Sequence, residues 1–489
     1  MSLAARISSG LKATFAARII DIGANGILMV VLARYLLTPD QYGLLYIAIS
    51  VVGVASMFGT LGLPSAVAKY VTEYNEKDAA QVPQILRISL GYLLALSIVT
   101  AVVLMIASSP LASVIHNETL APLLVVGGIY VLFEAVHKYL IHIFQAFNRV
   151  SISAVVTSTN ALGRLVFAIA LTLVGLGTAG ALMGYVVGFG LSVVVGGWIL
   201  YTKFYRSLPS AETIEDGLVR RMLEYSVPLT ATRGATVIDK KVDTILVGAL
   251  ANPAAAGFYT IAKQVSDAAI SVASSLGFTI SPAFGDDKAG DRLDRAAKLY
   301  EKSLEHILLL YIPGAVGLIL VAEPFVQQLF GSEYLGAVPV IQVISIYILV
   351  NAVTRITSDG LDFLGRARDR AIIKTTMAIT NFFLNLLLIP FYGAVGAAAA
   401  TAFTHSIYAT GNVYIMSREL PVEFGQIARS AAGVTVISSG MGAVVYYLLP
   451  YISGLGSLAA VIFCGAAIWA VLSTASGLLD VKRIVTFLS

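Results

Sequence analysis

Five charged residues, Arg233, Asp239, Lys240, Lys241 and Asp243, stand in the middle of SVPLTATRGATVIDKKVDTILVGAL, residues 226–250, whose two ends are apolar residues and small hydroxyls. The segment is long enough to cross a bilayer, where each charge costs at least ~2.5–3.5 kcal/mol in hydrocarbon. Such charges are retained where they face a bundle interior or a water-filled cavity. At about 100° per residue, Arg233, Asp239, Lys240 and Asp243 fall within about 120° of one another. Lys241 is displaced to one edge, and the opposite face is largely apolar. Cations mixed with carboxylates on a wetted face can capture an anion, and the carboxylates keep the empty site from being prohibitively positive.

The same chemistry recurs elsewhere in the chain. Arg18, Asp21 and Asn25 share the first apolar run, and opposite charges stand four apart at Glu134 and Lys138, Lys263 and Asp267, and Arg355 and Asp359. Any one such pair can be a mutually neutralised structural contact. The set as a whole resists that reading, because Arg164 has no acidic residue three or four positions away and Lys240 and Lys241 are adjacent. Catalytic and metal chemistry have less support. His137 and His142 lack a third ligand at suitable spacing and read as packing or cavity residues. No G-x-x-x-x-G-K-[ST] loop occurs, so ATP is not hydrolysed through a P-loop. Cys464, the single cysteine, allows neither an intrachain disulfide nor a thiolate metal cluster. No cofactor is expected.

The elements that must position these charges are membrane helices. The chain is 57% hydrophobic and 12% charged over 489 residues, against about 25% charged in soluble proteins. Fourteen apolar runs near the spanning length of ~20 residues lie at about 14–37, 43–63, 86–107, 120–147, 151–175, 179–203, 225–249, 255–281, 304–323, 337–363, 369–390, 395–416, 427–449 and 455–478. Basic residues fall in alternate loops, including Lys69, Lys77, Arg149, Arg206, Arg220, Arg221, Arg292, Lys298, Arg366 and Arg418, and the intervening loops carry none. By the positive-inside rule both termini are cytoplasmic. The first run carries Asp21 and Asn25 with no A-x-A-like site after it, so no cleaved signal peptide is expected. The intervening loops are too short for a catalytic domain, and the basic residues are too dispersed for a nucleic-acid partner. Residues 286–306 read as an amphipathic helix at the membrane interface, with Leu293, Ala296, Ala297 and Tyr300 turned to lipid. Gly180, Gly184 and Gly188 form a small-residue stripe suited to close helix packing.

The chain also aligns with itself. TPDQYGLLYIA from Thr38 matches NPAAAGFYTIA from Asn252, pairing Pro39 with Pro253 and Gly43 with Gly257, and GTAGA from Gly177 matches GAVGA from Gly393. Asn25 then falls opposite Asp239, and Lys138 opposite Arg355. Six spans per copy give parallel repeats about an axis along the membrane normal. The expected organisation is all-α, with a six-helix lobe at 1–205, a cytoplasmic linker at 206–224, a second six-helix lobe at 225–416, and two additional helices with a short cytoplasmic tail at 417–489.

The stretch ARYLLTPDQYG, Ala33–Gly43, followed by LLYIAISVVGVASMFGTLGLPSAVAKYV, resembles the first two spans of prokaryotic polysaccharide-biosynthesis flippases of the multidrug/oligosaccharidyl-lipid/polysaccharide exporter superfamily. Thr38 stands where many members have Gly, a departure that concerns a turn. The resemblance implies two six-helix lobes that open alternately inward and outward. It further implies transport of an undecaprenyl- or dolichol-linked oligosaccharide across the cytoplasmic membrane of a prokaryote. Arg18, Asp21, Asn25, Lys138, Arg164, Arg233, Asp239, Lys240, Lys241, Asp243, Lys263, Asp267, Arg355 and Asp359 would then line a hydrated cavity for the carrier's phosphate or diphosphate. Membrane lipids and a coupling Na⁺ or H⁺ are the other expected partners, and a monomer is expected to suffice. An ion-coupled multidrug exporter of the same superfamily is the alternative, opposed by the eight basic positions at membrane depth. A membrane polysaccharide polymerase or ligase is a further alternative, opposed by the short outer loops.

Overall fold

The computed structural model describes residues 3–209, 211, 213–290 and 292–478, without the side chains of residues 3–11, 231–233, 272, 275, 276, 278, 279 and 289. Among the described residues the protein is all-helical. In chain order the α-helices are α1 (Leu3–Val31, extended to Leu36 by a π turn), α2 (Pro39–Thr60), α3 (Leu63–Lys77), α4 (Val82–Ile106), α5 (Ser108–Val114), α6 (Leu120–Ala146), α7 (Val150–Leu171), α8 (Gly177–Lys203), α9 (Leu218–Leu250), α10 (Pro253–Ala289), α11 (Leu293–Leu329), α12 (Ala337–Phe363), α13 (Ala367–Glu419), α14 (Phe424–Leu448) and α15 (Leu455–Ala475).

Ten helical stretches among the described residues are long and apolar enough to cross a membrane. Two of them, Val150–Ser207 and Ala367–Glu419, turn back on themselves. Gly177 has φ 51° and ψ −133°, and Gly393, which the self-alignment of the sequence sets opposite it, has φ 54° and ψ −134°. That conformation suits a residue without Cβ. Beyond the first turn, Gly180 and Gly184 approach the Leu171 carbonyl and the Ala168 backbone closely, as the small-residue stripe leads one to expect. Beyond the second, Asn381 donates to Thr404 at 3.3 Å and Gly411 lies against Ile373. α9 and α10 span 33 and 37 residues but fall outside the ten; five of the charges on α9 are those described above. Phe15, Val174, Trp198, Phe391 and Phe463 point outward, which a hydrocarbon environment tolerates and water does not.

The start of α2 explains Thr38. Its hydroxyl accepts from the Gln41 backbone N–H at 3.4 Å, and the Gln41 side chain accepts from the Thr38 N–H at 3.1 Å. This capping box satisfies two donors that the helix cannot. Thr38 itself has φ −70°, so no glycine is required there.

Two compact units, Met1–Gly257 and Phe258–Ser489, divide the chain. In the first, α7 pairs with α8, α1 lies on α7, α6 packs against α2, α4 and α8, and α9 joins through α2 and α3. Val67, Val71, Ile85, Tyr139 and Met222 form its core at the end where α3, α4, α6 and α9 meet. The segment before α9 is tied down: Ala211 N–H donates to the Ala80 carbonyl at 2.8 Å, Gln84 donates to the Ala211 carbonyl at 2.9 Å, and Glu215 N–H donates to Gln81 at 3.0 Å. Tyr74 and Arg221 each donate to Glu215 at 2.6 Å. These bonds hold the Glu215 carboxyl below the usual carboxylate range, with the Tyr74 bond the largest cause.

In the second unit, α11 packs against α12 and α14, and α15 lies on α14 over Val321, Met441, Val445 and Val461. Here the structure corrects the expected lipid contact of residues 286–306. α11 runs unbroken from Leu293 into its spanning half, and Ala296, Ala297 and Tyr300 are buried in protein. The Tyr300 hydroxyl meets Thr357 of α12 at 2.9 Å, and its ring meets Phe284 of α10 edge-on. The apolar stripe is as expected, but its cover is protein.

The sidedness expected from loop charge is testable by reporter fusions after Asn117 and after Lys298. Opposite compartments are the expected result; the same compartment for both would remove the alternating arrangement.

Candidate functional site

Arg164 is placed by the α7–α8 hairpin. A Cβ on Gly188 would lie 2.7 Å from the Arg164 backbone nitrogen, so the two helices meet at backbone distance and the guanidinium has a fixed origin. Its Nη2 donates to Asp21 Oδ1 of α1 at 3.3 Å, with Arg164 14% and Asp21 33% exposed. On the other side the guanidinium lies 5.2 Å from the Tyr185 ring centroid on α8, a cation–π arrangement. The Tyr185 hydroxyl is 3.4 Å from that of Tyr46 on α2. Arg164 Nε is buried with no hydrogen-bond partner, a desolvated donor, and the side chain as a whole is 14% exposed.

On α6, Lys138 Nζ lies 2.8 Å from Glu134 Oε1. The Lys138 side chain is 42% exposed and that of Glu134 12%, so the lysine is the partner nearer to solvent. His137, next to Lys138 in the chain, places Nδ1 2.8 Å from Ser192 Oγ and its ring edge-on to Phe189. His142 Nδ1 lies 2.8 Å from the Lys138 carbonyl oxygen. Both imidazoles are used in packing.

On α9 the charge cluster divides. Asp239 and Lys240 are exposed, whereas Asp243 is buried at 7% exposure. Lys241 lays its methylenes on α2, where a Cβ on Gly53 would be 3.4 Å from its Cε; an aliphatic stem can pack this way while its ammonium reaches a polar group. The side chain of Arg233 lies outside the described residues. Arg18 is exposed and Asn25 half-buried on α1.

The second unit holds the other four. Lys263 Nζ sits 5.5 Å from the centroid of the Tyr259 ring, and Asp267 is exposed. Arg355 is exposed, while the Asp359 carboxylate rests on α10, 2.9 Å from where a Gly277 Cβ would be. Of the three pairs four residues apart, Glu134–Lys138 alone is among the ion pairs of the described residues. The first unit thus joins Asp21 to Arg164 directly, with Glu134–Lys138 and Lys241 contributed by α6 and α9. Sequence reasoning missed Tyr185 and Tyr46, because tyrosines in spans read by default as interfacial-belt residues. The one available signal was that Tyr185 directly follows Gly184 of the packed stripe.

A family model described as polysaccharide biosynthesis protein matches residues 9–286. "Probable flippase AglR" of Haloferax volcanii is 26% identical over 211 residues, 42% of this chain and 43% of that protein. The chain therefore spans less than half the length of that relative. The lipopolysaccharide biosynthesis protein WzxC of Escherichia coli K12 is 23% identical over 432 residues, 85% of this chain and 82% of that protein. Among solved structures, the lipid II flippase MurJ in an inward closed conformation superposes with a TM-score of 0.75 at 15% identity, covering 95% of this chain and 98% of that one. At that identity the likeness is one of fold.

Proposed function

We propose that this chain, which belongs to the polysaccharide biosynthesis protein family, is a multi-pass membrane transporter of the flippase kind, not an enzyme, and that it carries a polyprenyl- or dolichol-(di)phosphate-linked oligosaccharide from the inner to the outer leaflet of the cytoplasmic membrane by alternating access. The observation that carries this reading is Arg164: a cation in the helical core of the first unit, held by Asp21 and stacked on Tyr185, with its side chain 14% exposed. Guanidinium is well suited to phosphate oxygens, and the Lys138 ammonium on α6 adds a second cation.

In this reading the ten apolar stretches become fourteen crossings, because the two folded ones count twice and α9 and α10 are added. The matching conformations of Gly177 and Gly393 support the duplicated six-helix unit. The lobes 1–205 and 225–416, the cytoplasmic termini, the sufficiency of a monomer and a coupling Na⁺ or H⁺ belong to the same proposal. In proteoliposomes, the purified protein should speed the exposure of a fluorescent polyprenyl-diphosphate oligosaccharide to an external glycosidase. A rate equal to that of protein-free vesicles would reject the substrate class.

Water access to the charged spans is a separate expectation. With Cys464 replaced, single cysteines at Asn25 and Asp239 should react with a small water-soluble thiol reagent faster than one at Ile238, on the apolar face of α9. Equal protection at all three would rule out a hydrated path.

A further inference from the structure

α2 and α9 run antiparallel and in contact from end to end. At one end Gly62 lies against Ser226, where a Cβ would be 2.8 Å from the carbonyl oxygen, and at mid-length Gly53 accepts the Lys241 stem. At the other end α2 meets the first turn of α10, and the contact there is reciprocal. A Cβ on Gly43 would overlap the Pro253 carbonyl and come within 2.9 Å of Gly257 N, while a Cβ on Gly257 would lie 3.0 Å from the Pro39 carbonyl oxygen and 3.2 Å from Gly43 N. Pro39 and Gly43 are the duplication partners of Pro253 and Gly257. Each glycine thus sits on the proline carbonyl of the other copy, as a local two-fold demands. Neither glycine has a positive φ, so backbone conformation does not explain the choice of residue. The close approach does.

We propose that this reciprocal contact is the outer closure of the transport path, a backbone-on-backbone stop that shuts because positions 43 and 257 carry no side chain. The inference rests on the alternating-access reading above and adds to it the residues that decide when the outer side is closed. An added methyl at Gly43 meets backbone, which cannot swing aside as a flexible side chain can. It therefore opposes the closed form selectively and shifts the population outward-open. The methyl at Gly257 meets backbone at a distance that a shift of a few tenths of an ångström relieves, so its effect is smaller and in the same direction.

The test uses the full chain with Cys464→Ser and a reporter Asn25→Cys, labelled by a membrane-impermeant maleimide from outside intact cells and, separately, in inside-out vesicles. Gly43→Ala should raise the outside rate by roughly tenfold and lower the inside rate. Gly257→Ala should move both rates less, and Gly91→Ala, whose added methyl would meet nothing within 4 Å, should move neither. Normal membrane abundance of Gly43→Ala or Gly257→Ala with an unchanged outside-to-inside ratio overturns the closure, even when the parent labels from both sides and alternating access stands. Should Gly43→Ala fail to reach the membrane, the milder Gly257→Ala decides alone. Labelling of the parent from one side only would reject alternating access and the closure with it.

Discussion

Lys240→Glu is expected to abolish surface glycan in cells that depend on this chain for export, Lys240→Gln to impair it, and Lys240→Arg to retain part of it. The side chain is exposed on α9, where a flexible ammonium can follow a moving phosphate and a guanidinium substitutes imperfectly. A purely structural role gives a different pattern. Asp243 stands three residues away and is buried. If Lys240 served only to balance it, Lys240→Asn with Asp243→Asn would remove both charges together and restore export. With substrate attraction as the role, the double variant stays defective although no unpaired carboxylate remains. Membrane abundance measured in parallel separates failed transport from failed folding. Full export by the double variant at normal abundance would end the substrate role of Lys240.

The second large effect is expected at Arg164. Arg164→Gln removes a charge-assisted partner of a kind contributing about 1.5–3 kcal/mol, so export should fall by about tenfold to hundredfold. Arg164→Lys should recover little, because an ammonium lacks the planar fork and stacks poorly on Tyr185. The exchange Asp21→Arg with Arg164→Asp separates the two roles of the pair. It keeps one charge of each sign, so abundance should return towards normal, while the cation now starts from α1 and loses the Tyr185 ring. Export restored together with abundance would make the pair structural and remove Arg164 from substrate binding.

Both predictions concern residues chosen by type and depth, and the structure treats the two differently. Arg164 could be singled out because nothing within a helical turn neutralises it, yet its partner Asp21 is 143 residues away. No local pattern could have named that partner. The pairs four apart had looked alike in sequence, but Glu134 meets Lys138, whereas Lys263 lies over Tyr259 and Asp359 rests against α10. Spacing makes such a contact geometrically available, but a ring on the same helix, as Tyr259 for Lys263, or a neighbouring helix, as α10 for Asp359, decides which contact is made.

What the sequence determined by itself is whatever depends on local chemistry. It determined the membrane class, because apolar content on this scale has no other solvent. The turns at Gly177 and Gly393 and the capped start at Thr38 also follow from it, because each is a property of a few adjacent residues. It placed the charges within long apolar runs of the chain. The tertiary structure alone decided what covers each face. Residues 293–300 carry an apolar stripe that would suit lipid or protein equally, since both are equally apolar, and the packing of α10 and α12 settled the matter. Spacing had already set Lys241 apart from Lys240, and the tertiary structure added what covers it, Gly53 of α2, against which its stem lies. Periodicity identifies a face from the geometry of one helix, whereas the partner of that face is fixed by contacts between segments far apart in the chain.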